Sequence, residues 1–144
     1  MKILLAVDGS KHAQWAEALL RQMGRGHTVE VLYVTPAIVA GTAGAPSLTE
    51  ALRECGEKMV RTVAKSLGNK FKTSTTVLES HDVAGAVLDH AKKIRAELIV
   101  LGARGLSPLK TFFLGSVSHK ITRHAPCSVL VARRRPGRAL RILS

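Results

Sequence analysis

Five short runs rich in β-branched and aliphatic residues recur along the chain, and a helix-spaced pattern separates most of them. That alternation is the feature that admits the fewest folds. Strands joined through helices run parallel, and helices packed on both faces bury them. The first run, "KILLAVD" from Lys2 to Asp8, is nearly continuously apolar, as a strand covered on both faces should be. "TVEVLYV" (Thr28 to Val34), the weaker "KTSTTVL" (Lys72 to Leu78), "ELIVL" (Glu97 to Leu101) and "CSVLVA" (Cys127 to Ala132) complete the set. The expectation is a single α/β domain: a doubly wound, five-stranded parallel sheet with helices on both faces, Rossmann-like. The pattern leaves the strand order open.

The helices announce themselves by their caps. Ser10 is placed to cap a helix in which Ala13, Ala16, Leu19, Leu20 and Met23 recur at helical spacing, and Gly24 is placed to end it. Ser47 and Glu50 have capping-box spacing ahead of Leu48, Leu52, Cys55, Met59, Val63 and Leu67. Asp82 should cap Val83 to Arg95, with Val87, Leu88, Ala91 and Ile94 facing inward. A last helix should run from near Ser116 to before Pro126. The small-residue stretch 36–46 reads as a connector.

At 144 residues the chain is long enough for a core without staples. Aromatics make up only 3% of it, so that core must be aliphatic. No stretch of about 18 apolar residues occurs, so no membrane span is expected. The opening apolar run, Ile3 to Val7, is shorter than a signal-peptide core and stops at Asp8, which points to the cytoplasm. Cys55 and Cys127 have neither metal-ligand nor CxxC spacing and read as buried, reduced thiols. The six histidines are scattered, and His119 and His124 miss the i, i+4 spacing of a metal pair. No metal site is expected.

The segment "LGARGLSPLKTFFLGSVSH" (101–119) carries the chemistry. It follows the fourth strand pattern and opens the last helix, so it lies at the carboxyl end of the sheet, where open α/β sheets bind ligands. Gly102, Gly105 and Gly115 punctuate it, Arg104 and Lys110 are its cations, and it holds no carboxylate. A phosphate cradle needs close backbone approach and profits from the positive end of a helix. Glycines also serve ordinary turns, and neither the P-loop pattern nor a GxGxxG triplet is present. From the residues alone, both an anion cradle and a connecting loop remain open.

Gly102, Gly105 and the pair Gly115–Ser116 fit the pattern G-x2-G-x9-G-[ST]. With the opening "ILLAVDGS" and the ending "HAPCSVLVA", the chain resembles the ATP-binding branch of the universal stress protein family from residue 1 to about 133. The resemblance implies the adenine nucleotide alpha-hydrolase-like form of the fold and a dimeric, nucleotide-binding stress-response regulator. Position by position, it implies that Ala6, Val7 and Asp8 flank adenosine and that Val34 meets adenine through its backbone. Leu101 and Gly102 would border ribose. Gly105, Gly115, Ser116, Val117 and Ser118 would hold the phosphates of ATP or another adenine nucleotide, with any Mg²⁺ held mainly by those phosphates. The last strand, Ser128 to Ala132, would form a homodimer edge. One departure is His81, which stands where the family often has glycine.

Hydrolysis of ATP calls for a positioned water, an orienting group and usually carboxylate-held Mg²⁺. The glycine segment supplies no carboxylate, so no catalytic residue is assigned and turnover should be slow or nil. Two other classes compete. Residues 1–97 carry 13 Lys/Arg against 10 Asp/Glu, or +3, whereas residues 98–144 carry nine and none, or +9. Five arginines between Arg133 and Arg141 make a basic tail (134–144) able to meet nucleic acid. Against this, Trp15 and Tyr33 are isolated, and Phe112 with Phe113 reads as apolar packing, so no stacking platform is evident. The other class is a dimeric scaffold that binds no nucleotide.

Overall fold

A computed structural model describes residues 1–37, 45–106 and 114–133. The elements are β1 (Lys2–Ala6), α1 (Lys11–Arg21), β2 (Thr28–Pro36), α2 (Ala45–Leu67), β3 (Lys72–Ser80), α3 (Val83–Lys93), β4 (Leu98–Gly102), α4 (Ser116–His124) and β5 (Ser128–Ala132). Every ladder is parallel, in the order β3-β2-β1-β4-β5. Central β1 therefore separates the two halves, β2 lying on one side of it and β4 on the other.

Alternation along the strands sends successive side chains to opposite faces. Ile3, Leu5, Val29, Val31 and Val100 pack under α1 and α2 with Ala16, Leu20, Val60 and Leu67. Leu4, Leu32, Ile99 and Leu101 pack under α3 and α4 with Val87, Leu88, Ala91 and Ile121. Two aliphatic cores thus clamp the sheet, as the low aromatic content requires.

The predicted caps at two helices form. Ser10 Oγ accepts the Ala13 amide at 3.1 Å, and Asp82 Oδ1 accepts the Gly85 amide at 2.9 Å. The Asp82 bond also shows that the turn at His81 closes without a glycine there. Other expectations need correction. Helix α1 ends at Arg21, with Gln22 as its C-cap, and does not reach Gly24. Helix α2 starts at Ala45, so Ser47 lies inside it and is not its cap. Cys55 is exposed, and so is Leu48. The inner row of α2 passes through Gly56, Val60 and Leu67, and Cys55 lies about 100° around the helix from Gly56. Burial raises the pKa of the partly covered Cys127 thiol. The expected packing of Phe112 and Phe113, Lys110, most of the 36–46 connector and the 134–144 tail lie outside the described residues.

One buried polar cluster interrupts the second core. Glu30 Oε1 on β2 accepts Thr76 Oγ1 from β3 at 2.8 Å and lies 2.5 Å from His90 Nε2 on α3. Burial alone would raise the Glu30 carboxyl, but the bonds from His90 and Thr76, with the His90 and Lys2 charges, hold it below its ordinary value. A depressed carboxyl contributes stability above its unfolded pKa and loses that contribution as pH falls through its folded one. Glu30→Gln should therefore flatten the loss of stability as pH falls through and below the ordinary carboxylate range, relative to the native chain. Urea midpoints across that range check it, and parallel curves would reject it.

Candidate functional site

The sheet opens at its carboxyl end because its strands stop at different heights. The last β1 pair is Ala6 with Leu32, and the Val7 amide still donates to the Leu32 carbonyl at 2.9 Å. Beyond that point β1 turns away, whereas β2 and β3 remain paired as far as Pro36 with Ser80. Backbone groups two residues apart in a strand point to the same edge. The Leu32 carbonyl faces β1, so the amide and carbonyl of Val34 face the gap that β1 vacates. They form a donor–acceptor pair suited to the edge of a flat heteroaromatic ring.

A cavity of about 360 Å³ occupies this gap, within the range of small-molecule sites. All eleven residues singled out from the sequence line it: Ala6, Val7, Asp8, Val34, Leu101, Gly102, Gly105, Gly115, Ser116, Val117 and Ser118. The structure adds Ala13, Leu32, Val83, Val87, Arg104, Leu106, Leu114 and Ile121. Of these, only Arg104 carried a recognisable sequence signal, as a cation between two glycines. Val83, Val87 and Ile121 read as ordinary core positions on helices, and nothing local could have placed them here.

The glycines divide by role. A Cβ at Gly102 would lie 2.5 Å from the His12 carbonyl carbon and 2.7 Å from the Ala13 nitrogen, so β4 and the start of α1 touch backbone to backbone. Gly105 leaves room for Asp8, whose Oδ2 would lie 2.8 Å from a Cβ there. Gly115 has φ −61° and ψ 161°, which any residue can adopt, and a Cβ on it would meet Arg104 Cα at an ordinary 3.4 Å. Protein packing demands glycine at 102 but not at 115.

Gly115 is the N-cap of α4 and caps nothing with a side chain. Its amide donates to the Ala103 carbonyl at 2.8 Å, and buried Ser118 Oγ donates to the same carbonyl at 2.7 Å. The hydroxyl proton of Ser118 is therefore committed to the protein. The first α4 backbone bond runs from the His119 amide to the Gly115 carbonyl, so the amides of Ser116, Val117 and Ser118 precede the helical ladder. Exposed Ser116 stands at the first helical position and is not the cap. These three amides lie at the positive end of α4, Arg104 is among the lining residues, and such an end attracts anions.

Asp8 is the acidic residue of the lining. Its Oδ1 accepts the Ser10 amide at 2.9 Å, and Ser10 Oγ reaches the Arg104 carbonyl at 3.3 Å, tying the start of α1 to the β4 loop. Lys120 Nζ, at 2.6 Å from Asp82 Oδ2, links α4 to the cap of α3. The Lys120 bond and the Gly85 amide lower the pKa of that carboxyl. A second cavity, about 370 Å³, opens between α1 and α2, shares Val7 and Ala13 with the first, and includes Cys55. Among the described residues no three His, Cys, Asp or Glu converge as metal ligands, and no helix is long and apolar enough to cross a membrane.

Chemically, the main cavity is a mixed site. Its lining combines apolar Leu32, Val34, Val87 and Ile121, the carboxylate acceptor of Asp8, and the α4 helix-end residues with the cation Arg104. It suits a ligand that combines a flat apolar part, hydroxyl groups and an anionic group.

Comparison with known proteins bears on that description. The family model for the universal stress protein family matches residues 1–133. A Thermus aquaticus universal stress protein, named for its place in the QAH/OAS sulfhydrylase 3' region, is 38% identical over 135 residues, covering 91% of this chain and 97% of its own. The universal stress protein UspA from Lactobacillus plantarum superposes with a TM-score of 0.78 at 26% identity, over 92% of this chain and 97% of its own. An Arabidopsis thaliana family protein solved with AMP bound superposes with a TM-score of 0.65 at 16% identity, over 94% of this chain and 93% of its own.

Proposed function

The chain belongs to the universal stress protein family, and on that footing we propose that it is a dimeric, cytoplasmic stress-response regulator that binds ATP or another adenine nucleotide. The observation that carries the reading is the convergence of eleven residues, drawn from four separate stretches of sequence, on one cavity with an anion-attracting end. Adenine would lie among the apolar lining residues, against the Val34 backbone. Ribose hydroxyls would meet Asp8 beside Leu101 and Gly102. Phosphates would take the amides of Ser116, Val117 and Ser118, under Arg104.

When bound, Mg²⁺ would screen the phosphate charges and be held mainly by them, since Asp8 is the acidic lining residue and belongs to the nucleoside end. The chain's own groups bind and orient, and among the described lining residues Asp8 is the carboxylate. Hydrolysis is therefore slow or nil. The test is mass spectrometry of whatever purified protein releases on denaturation, followed by calorimetry with ATP, ADP and AMP. Affinity should fall as phosphates are removed. Equal affinity for all three, or no binding of any, would reject the reading.

Dimerisation is proposed through β5, which lies at a sheet edge with Val129, Leu130 and Val131 only partly covered. An uncovered apolar edge strand invites pairing. Leu130→Lys should shift sedimentation towards monomer, and a native chain that sediments as a monomer at tens of micromolar would reject the dimer.

A further inference from the structure

Helices α1 and α2 pack on the same face of the sheet and are tied together near their C-terminal ends. Ser66 Oγ on α2 donates to Glu17 Oε1 on α1, and Arg21 pairs with the same carboxylate. Towards the start of α1 the second cavity, of about 370 Å³, lies between the two helices. Its covered wall is apolar, made by buried Val7 and Ala13 with partly buried Met59 and Val63. Gly9, at φ 79°, lets α2 approach the end of β1, since Met59 Cε would lie 3.1 Å from a Cβ placed there. An unbranched thioether adapts to what it packs against, so this wall can yield to a ligand. The exposed lining is polar and includes Gln14, Lys58 and Thr62, with Cys55 among them.

We propose that this cavity is a second ligand site, for a small molecule with an apolar body and one anionic group. It shares the wall residues Val7 and Ala13 with the first cavity, yet it does not depend on the nucleotide reading. Its volume falls within the range of small-molecule sites. Burying an apolar body against Val7, Ala13, Met59 and Val63 supplies the affinity. Charge selects the anion. The two charged residues of the lining are Glu17 and Lys58. Glu17 is already compensated by Arg21 and bonded by Ser66. Arg53 and Arg61, the nearby cations on α2, pair with Glu57, whereas Lys58 forms an ion pair with no described residue. The Lys58 ammonium is therefore the charge that an entering ligand meets. A carboxylate or sulfonate pairs with it at an exposed position, where such a pair adds selectivity more than affinity.

The probe is anilinonaphthalene sulfonate, with uncharged phenylnaphthylamine as its control. Cys55 reports occupancy because it lines this cavity, and Cys127, which lines neither cavity, is the internal reference. Alkylation of each thiol by iodoacetamide is followed by peptide mass spectrometry on the full chain. At about ten times its Kd the sulfonate should slow Cys55 alkylation about tenfold, since only unfilled sites react, and leave Cys127 unchanged. Lys58→Gln should weaken the sulfonate about two- to fivefold and leave the uncharged control unaffected. Thr62→Trp, at an exposed position whose hydroxyl bonds within its own helix, should fill the cavity and abolish the protection. An unchanged Cys55 rate at saturating sulfonate would overturn the site, as would full protection in a cooperatively folded Thr62→Trp protein. Equal losses of both probes in Lys58→Gln would overturn the choice of an anion. The protection measurement on the native chain needs no variant, so a poorly folded Thr62→Trp protein does not remove the test. No nucleotide enters these measurements, and their failure leaves the nucleotide reading intact.

Discussion

Gly115→Val abolishes detectable ATP binding while the protein still folds: that is the expected result with the largest functional effect. Backbone strain is not the reason, because φ −61° and ψ 161° suit any residue. Nor is a steric clash of the first added carbon, whose nearest neighbour would be Arg104 Cα at 3.4 Å. Valine's two γ-methyls must instead take space beside the amides of Ser116, Val117 and Ser118, which phosphate needs. Replacing a glycine N-cap by an aliphatic residue costs only about 1 kcal/mol of stability. Gly115→Ala, one carbon that fits, should retain most binding. Ser116→Ala removes one hydroxyl and leaves the amide, so affinity should drop about five- to thirtyfold. Calorimetry on variants with cooperative urea transitions reads all three. Undiminished binding by Gly115→Val would mean that phosphate does not approach α4 there.

Gly102→Ala should do the reverse and act on the fold. Its Cβ would fall 2.5 Å from a backbone carbon of His12 and 2.7 Å from a backbone nitrogen of Ala13. Neither atom belongs to a flexible side chain, so α1 must shift off β4. Overpacking of this kind costs about 3 kcal/mol, or roughly 10 °C in Tm for a chain of this size. The displaced turn carries Asp8's partner Ser10 and the wall residue Ala13, so nucleotide affinity should fall with stability. A thermal midpoint within about 2 °C of native would show that the two backbones are less tightly apposed than the structure has them.

The two glycines belong to one sequence pattern, and the pattern does not distinguish them. That contrast sets the limit of what the sequence discloses about the site. The pattern, together with the opening and closing stretches, carried the family resemblance, and that resemblance nominated eleven positions that line the cavity. It could not assign duties within the lining. Ser118 looked like a phosphate ligand, yet its hydroxyl proton is committed to the Ala103 carbonyl. Ser116 was expected near the start of the last helix, and it is the first helical residue behind the Gly115 cap. Val83, Val87 and Ile121 gave no signal, because a helical residue that lines a cavity and one that packs on a strand have the same spacing.

What the residues determined alone is what neighbours within about four positions can enforce. Strand and helix periods, the caps at Ser10 and Asp82, and the gathering of glycines ahead of α4 are of this kind. These decide a parallel, doubly wound sheet, since strands alternating with helices have few other ways to bury their apolar faces. Tertiary structure decided the rest. The cavity exists because β1 leaves the sheet at Ala6 while β2 and β3 pair on to Pro36 and Ser80. Cys55 is exposed because helix α2 is phased by what Gly56, Val60 and Leu67 pack against. Gly102 is fixed by the backbone of His12, ninety residues away in sequence, whose carbonyl carbon would lie 2.5 Å from any Cβ placed there. Local sequence sets which conformations a segment can take, but the distance between two segments is an outcome of every packed contact at once.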